Sequence, residues 1–132
     1  MKKVLFVCVG NASRSQMAEA FANHYGRGKI IASSAGTNPA TEIDPNAVEV
    51  MKEKGIDISG RKPKPIDFNE VSTADVIVTM GCGAEGFCPA TFLERVRDWN
   101  LDDPKGKPIE FVRKIRDEIE EKVKALIEEL LG

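Results

Sequence analysis

Apolar residues in this chain form short unbroken runs, separated by stretches with a helical period. Val4-Leu5-Phe6-Val7-Cys8-Val9 is rich in β-branched and aromatic residues and predicts a buried strand ending at Cys8. A polar loop follows, and a helical pattern runs from about Arg14 or Ser15 to Tyr25, broken by Gly26 and Gly28. Residues 29–36 predict a second strand, and Thr37-Asn38-Pro39 a turn. Asp44 caps a helix with Pro45 at its first position, and that helix stops at Gly55. Residues 56–65 are polar, carry prolines and are expected to be a loop.

Asp75-Val76-Ile77-Val78-Thr79-Met80 predicts a third strand, which runs into the glycine-rich residues 81–89, without period and expected to be mobile. Residues 94–99 predict a fourth short strand and residues 100–104 a loop. From about Pro108 a long amphipathic helix reaches Leu131. Val112, Ile115, Ile119, Val123, Leu126, Ile127 and Leu130 fall on one face, and Glu, Lys and Arg on the other. Apolar strands alternating with helices predict an α/β fold: a doubly wound, four-stranded parallel sheet with helices on both faces. Ligands of such folds bind beyond the carboxyl ends of the strands, where strand order reverses. Cys8, Cys82 and the Asp102-Asp103-Pro104 loop each follow a strand end, so all three are expected at one crevice.

Composition narrows the class. The 132 residues, 42% hydrophobic and 30% charged, fit one globular domain with a real core. A formal charge of −2 with dispersed lysines and arginines suggests neither a nucleic-acid nor a membrane partner. The first apolar run is too short for a membrane span or a signal segment, so a soluble, cytoplasmic protein is expected; it is also expected to be a monomer. Three cysteines are an odd number and do not suit a secreted disulfide framework. In a reducing compartment any disulfide among them would be transient and chemical.

The candidate chemistry starts at the first loop. Cys8 opens it and Arg14 closes it, and the backbone of Val9, Gly10, Asn11, Ala12 and Ser13 lies between them at the positive end of a helix. Such a loop forms a nest for a tetrahedral oxyanion, with a thiol at its floor and a bidentate guanidinium at its rim. A buried thiol with only a packing role is the plain alternative for Cys8, but a helix N-terminus favours the thiolate and therefore a nucleophile. Ser15 suits either a helix cap or a hydroxyl donating to the Cys8 sulfur. Gly10 suits close approach of the backbone to a ligand. His24 reads as a helix-end surface residue, and a zinc site is disfavoured because the cysteine spacing is not Cys-x-x-Cys.

Residues 8–15, Cys8-Val9-Gly10-Asn11-Ala12-Ser13-Arg14-Ser15, resemble the phosphate-binding loop of the low-molecular-weight tyrosine phosphatases and of the thioredoxin-coupled arsenate reductases that share their fold. The loop does not separate the two activities. Cys82 and Cys88 do, since this class of reductases carries a redox pair after the third strand and the phosphatases need none. Ser34-Ala35-Gly36, Asn46-Ala47, Asp57-Ile58-Ser59, Val78-Thr79 and Trp99 with Leu101-Asp102-Asp103-Pro104 extend the resemblance to the reductases. The aspartate before proline that serves as the family's acid corresponds to Asp103, whereas Asp44-Pro45 reads as a helix cap.

The resemblance implies reduction of arsenate, with phosphate or sulfate as analogues. Cys8 attacks arsenic, Asp103 protonates the leaving oxygen, Cys82 then Cys88 carry the disulfide outward, and thioredoxin or a similar dithiol reduces it. No flavin or nicotinamide cofactor is implied. The sequence departs from the family in two places. The redox cysteines are one residue closer than in many members. Of the positions that hold potassium beside the loop in some members, Asn11, Glu19 and Ser34 match, but the other two are Lys62 and Lys64, whose ammonium groups would fill or repel that site. No metal is therefore expected. The alternatives are a phosphomonoester hydrolase using Cys8, Arg14 and Asp103 alone, and a non-enzymatic oxyanion-binding or redox-sensing protein. A wall of tyrosines for an aryl substrate is not evident near Asp103, where Trp99 is the large aromatic.

Overall fold

In the computed structural model, which describes residues 1–80 and 96–132, four parallel strands form one sheet. β1 (Lys2–Cys8) lies between β2 (Ile30–Gly36) and β3 (Val76–Thr79), and β4 (Val96–Asp98) flanks β3. The chain therefore leaves β1 toward one edge and returns to the other. This reversal of winding leaves a crevice beyond the carboxyl ends of β1 and β3. Register is continuous: Phe6 sits opposite Ser34 on one side and Val78 on the other, and Cys8 opposite Gly36.

The pleat of β1 feeds two cores. Val4, Phe6 and Cys8 face α1 (Arg14–Tyr25), α2 (Pro45–Lys52) and α4 (Ile109–Leu131), whose Met17, Phe21, Met51, Ile115 and Ile119 fill the larger cluster. Leu5, Val7 and Ile77 face a smaller cluster closed by Val71 and Ala74, on and just after the short helix α3 (Phe68–Thr73). The pattern of apolar positions does not predict α3. It spans six residues, is started by Asp67 accepting from the Asn69 N–H, and buries only Val71. Its signal is a cap with no periodic stripe behind it.

Most of the expected ends hold. Asp44 accepts from the Asn46 N–H with Pro45 in the first turn, and Gly55 takes a left-handed φ of 77° after α2. Ser13, rather than Ser15, stands at the N-cap of α1, and its side chain makes no capping bond. Asp98 ends β4 one residue before the expected end, while the expected start of that strand falls outside the described residues. His24 is exposed on the last turn of α1, edge-on to Tyr25. Among the described residues no helix is long and apolar enough to cross a membrane.

The polar face of α4 is less uniform than its period suggests, because Arg116 and Glu120 are buried. Arg116 donates to the Val50 carbonyl (3.0 Å) and to Glu53 (2.7 Å), tying α4 to α2. Glu120 accepts from the Tyr25 hydroxyl at 2.5 Å and faces the Lys54 ammonium at 3.1 Å, tying α4 to α1. The bond to Glu120, with burial second, pushes Tyr25 up from 10.0 to about 12. Burial works to raise Glu120, but the bonds from Tyr25 and Lys54 outweigh it and hold the carboxyl below its ordinary value.

Tyr25 is the only tyrosine of the chain, so phenolate absorbance reports it alone. In the folded protein it is expected to titrate near pH 12 rather than 10.0. A folded pKa above the unfolded one stabilises fully below pH 10.0 and is lost as pH rises toward about 12. Denaturant midpoints should fall across that window in the native chain and stay flatter in Tyr25→Phe. An ordinary tyrosine titration in the folded protein would contradict this coupling.

Candidate active site

Between β1 and α1 the backbone turns with its carbonyls outward. Thr37 N–H donates to the Cys8 carbonyl (3.0 Å), Asn38 to Val9 (2.8 Å), Ala40 to Gly10 (2.9 Å) and Asp44 to Ala12 (2.9 Å). Because the peptide is planar, a carbonyl held outside turns the following N–H inward. The N–H groups of Gly10, Ala12 and Ser13 meet no internal acceptor among the described residues. Together with the start of α1 they make a concave set of donors suited to an oxyanion. Gly36 permits the outside scaffold to come this close, since a Cβ there would lie 2.6 Å from the Val9 carbonyl oxygen.

The loop's left-handed residue is Asn11, with φ 50°, and Gly10 has room for a Cβ as far as the protein itself is concerned. Asn11 is fully buried and every polar group of its side chain is used. Its Nδ2 donates to Ser15 Oγ (2.7 Å), and its Oδ1 accepts from Gln16 Nε2 and from the Lys64 backbone N–H (both 3.0 Å). Its own backbone N–H points at the Cys8 sulfur, 3.2 Å away. Ser15 Oγ lies 2.9 Å from the same sulfur. Since that oxygen already accepts from Asn11, its proton is free to be donated to sulfur, so a Cys8 thiolate has two donors.

Arg14 is 4% exposed. One terminal nitrogen donates to the carbonyls of Met80 (2.9 Å), at the end of β3, and Leu101 (3.0 Å). The other lies 3.6 Å from an Asp103 oxygen, an ion pair beyond hydrogen-bonding range. The second Asp103 oxygen accepts from the Lys105 N–H at 3.0 Å, and its side chain is 54% exposed. A cleft of about 500 Å³ opens above Cys8, walled by residues 38–45 on one side and by Asp103, Lys105 and Gly106 on the other. No aromatic residue lines it among the described residues. Trp99 instead packs on Phe6, ring centres 5.6 Å apart, and serves the core. Ser13 Oγ, buried beside the cleft, has no internal partner among the described residues.

Cys8, Val9, Gly10, Ala12, Ser13, Arg14 and Asp103 thus line one cleft, Asn11 and Ser15 are buried behind it on the Cys8 sulfur, and Cys82 and Cys88 lie outside the described residues. A thiol so held can attack the centre of a tetrahedral oxyanion, with Arg14 at the rim and a carboxyl on the opposite wall. The side-chain roles of Asn11 and Gln16 are not evident in the sequence, beyond the tolerance of Asn for a left-handed turn. A potassium ion does not fit the residues present. Both donors on Asn11 Oδ1 are N–H groups, and the guanidinium of Arg61 lies on Glu19. Of the two expected effects of the lysines, filling or repelling a cation there, filling does not hold for the Lys64 ammonium. Lys62 and Lys64 offer backbone groups there, and the Lys64 ammonium faces Glu70 at 3.7 Å.

The chain is similar to arsenate reductases and to a phosphatase of the same fold. The glutaredoxin arsenate reductase of Synechocystis is 41% identical over 128 residues, covering 96% of this chain and 97% of the relative. A solved arsenate reductase in the phosphate binding state superposes with a TM-score of 0.88 at 40% identity, covering 98% of each chain. The YwlE arginine phosphatase from Geobacillus stearothermophilus superposes with a TM-score of 0.87 at 29% identity, over 99% of this chain and 94% of that one. The family model for the low molecular weight phosphotyrosine protein phosphatases matches residues 3–131. An outward-facing carbonyl scaffold, a thiol beneath inward N–H groups and an arginine at the start of α1 are what this chain brings to that comparison, and it belongs to the low molecular weight phosphotyrosine protein phosphatase family.

Proposed function

We propose that this chain is an arsenate reductase that uses Cys8 as nucleophile and the three cysteines as its electron source. The observation that carries the reading is the Cys8 sulfur, buried at the floor of the donor nest with Ser15 and Asn11 on it and Arg14 at the rim. Relatives named arsenate reductase at about 40% identity support the choice of arsenic over phosphorus. So does the lack of an aromatic wall for an aryl ester among the described residues that line the cleft.

Arsenate enters the nest with its oxygens on the inward N–H groups and Arg14. The Cys8 thiolate attacks arsenic, one As–O bond breaks, and Asp103 gives the departing oxygen its proton, so that water leaves and a Cys8–arsenic adduct remains. Cys82 then attacks the Cys8 sulfur. The S–As bond breaks with its electron pair going to arsenic, which leaves as arsenite, and a Cys8–Cys82 disulfide forms. Cys88 attacks Cys82, releasing Cys8 and moving the bond to Cys82–Cys88. An external dithiol such as thioredoxin supplies the two electrons that reset the chain. The reaction runs in the cytoplasm on a monomer.

Reduced protein given stoichiometric arsenate should yield arsenite and, by peptide mass spectrometry, a Cys82–Cys88 disulfide. Steady turnover of an aryl phosphate without any arsenite would replace this reading by the hydrolase. Cys82→Ser should abolish arsenate reduction yet keep slow phosphate-ester hydrolysis, because the nest is untouched. Loss of both activities in a folded variant would argue against separate roles. Ser15→Ala removes one donor from the sulfur, and alkylation of Cys8 by iodoacetamide at neutral pH should slow roughly tenfold, the scale of one hydrogen bond to a charged group. An unchanged rate, measured with Cys82 and Cys88 replaced by Ser, would remove Ser15 from the mechanism.

A further inference from the structure

Residues 61–65 line no part of the cleft, yet they determine how its loop is held. The Lys64 N–H donates to Asn11 Oδ1, the Lys62 carbonyl accepts from Gln16 Nε2 at 3.3 Å, and the Lys64 carbonyl accepts from the Gly36 N–H at 2.9 Å. Pro65 pairs with Gly36 as an isolated bridge. This backbone occupies the acceptor side of the Asn11 amide and thereby orients Nδ2 toward Ser15, which in turn meets the Cys8 sulfur. Three hydrogen bonds thus connect the segment to the reacting atom.

One side-chain ion pair fastens that segment to α1. Glu19 lies one turn beyond Ser15, is buried, and accepts from the buried Ser34 hydroxyl at 2.7 Å. The cation on it among the described residues is the half-buried Arg61, in direct contact with its second oxygen. A buried carboxylate without a counter-charge is strongly disfavoured, so Glu19 needs that partner and Arg61 is held by the need. The pairing differs from that of Lys64, which only reaches toward Glu70 at the surface.

We propose that Arg61 is a positioning residue of the anion loop: its guanidinium neutralises buried Glu19 and so clamps residues 61–65 against Asn11, fixing the donors on the Cys8 sulfur. The proposal rests on the oxyanion-binding part of the function above and not on the disulfide relay, so it can be tested without arsenic chemistry.

The test uses reduced protein, inorganic phosphate titrated by calorimetry, and the rate of Cys8 alkylation with Cys82 and Cys88 replaced by Ser. Arg61→Ala is expected to bind phosphate about tenfold more weakly and to alkylate correspondingly more slowly, a change of about 1.4 kcal/mol. Arg61→Lys, which keeps the charge, should recover most of both, and added guanidinium ion should partly restore Arg61→Ala while leaving the native chain unchanged. If Arg61→Ala does not fold, the pair Arg61→Ala with Glu19→Gln removes the unpaired buried charge together with the clamp, and should fold yet still bind phosphate about tenfold more weakly than the native chain. The proposal is overturned if a folded Arg61→Ala matches the native chain in both readouts, if Arg61→Lys is as impaired as Arg61→Ala, or if the double variant binds phosphate as the native chain does. A native chain that binds no phosphate at all would instead defeat the oxyanion reading of the site itself.

Discussion

The structure depends on the demand that a short loop present its N–H groups inward with no helix or strand of its own to satisfy its carbonyls. Each outward carbonyl of residues 8–12 that meets a backbone donor finds it in residues 37–44, the segment that leaves β2. This explains why β2 ends in a glycine packed against the loop, and why residues 37–44 run alongside the loop instead of turning away. The same segment then forms a wall of the cleft. A single arrangement of hydrogen bonds therefore folds the loop and encloses the space above it.

Arg14 links this local arrangement to the rest of the sheet. Its donors reach the carbonyl of Met80 beyond β3 and of Leu101 beyond β4, so the chain ends of three strands meet at one guanidinium. A lysine could not replace it, because a point charge lacks the planar fork needed to hold two carbonyls and still face a carboxylate. The nitrogen directed at Asp103 is 3.6 Å away and makes no hydrogen bond among the described residues, so in the proposed reaction an arriving oxyanion can take it without breaking a bond to any of them. The backbone bonds fix the guanidinium, and its ligand-facing edge stays available.

The sheet, its helices and the start of the anion loop were legible in the sequence because their signals are local. A continuous apolar run ending at Cys8, a capping Asp before Pro45 and a long apolar stripe on α4 each state their own structure. What was not legible depends on pairs far apart in the chain. Nothing near Asn11 indicates that Lys64 will hold its side chain, and nothing in the polar face of α4 indicates that Arg116 and Glu120 turn inward toward Val50 and Tyr25. The helix α3 has no periodic sequence signal for a related reason: its one buried side chain, Val71, is too little for a stripe. Lys62 and Lys64 stand out in the sequence as charged side chains, whereas at the loop Lys62 contributes a carbonyl that any residue could offer and Lys64 an N–H that any residue other than proline could offer.

This last point bears on how such a site tolerates change. Where a segment supports a loop through its backbone, its side chains are free to vary provided that something holds the segment in place. Here that task falls on the contact between Arg61 and Glu19, with Pro65 bridged to Gly36 at the other end. An exposed ion pair contributes little to stability, but one formed on a buried carboxylate is constrained by the penalty of leaving that charge alone. Glu19 is in the second situation, buried on α1 and hydrogen-bonded to a buried serine. The geometry at the sulfur is thus set by charge neutralisation on the flank of the loop as well as by the loop itself. A description of the site confined to Cys8, Arg14 and the inward N–H groups would leave unexplained why Asn11 keeps a left-handed conformation that most residues avoid.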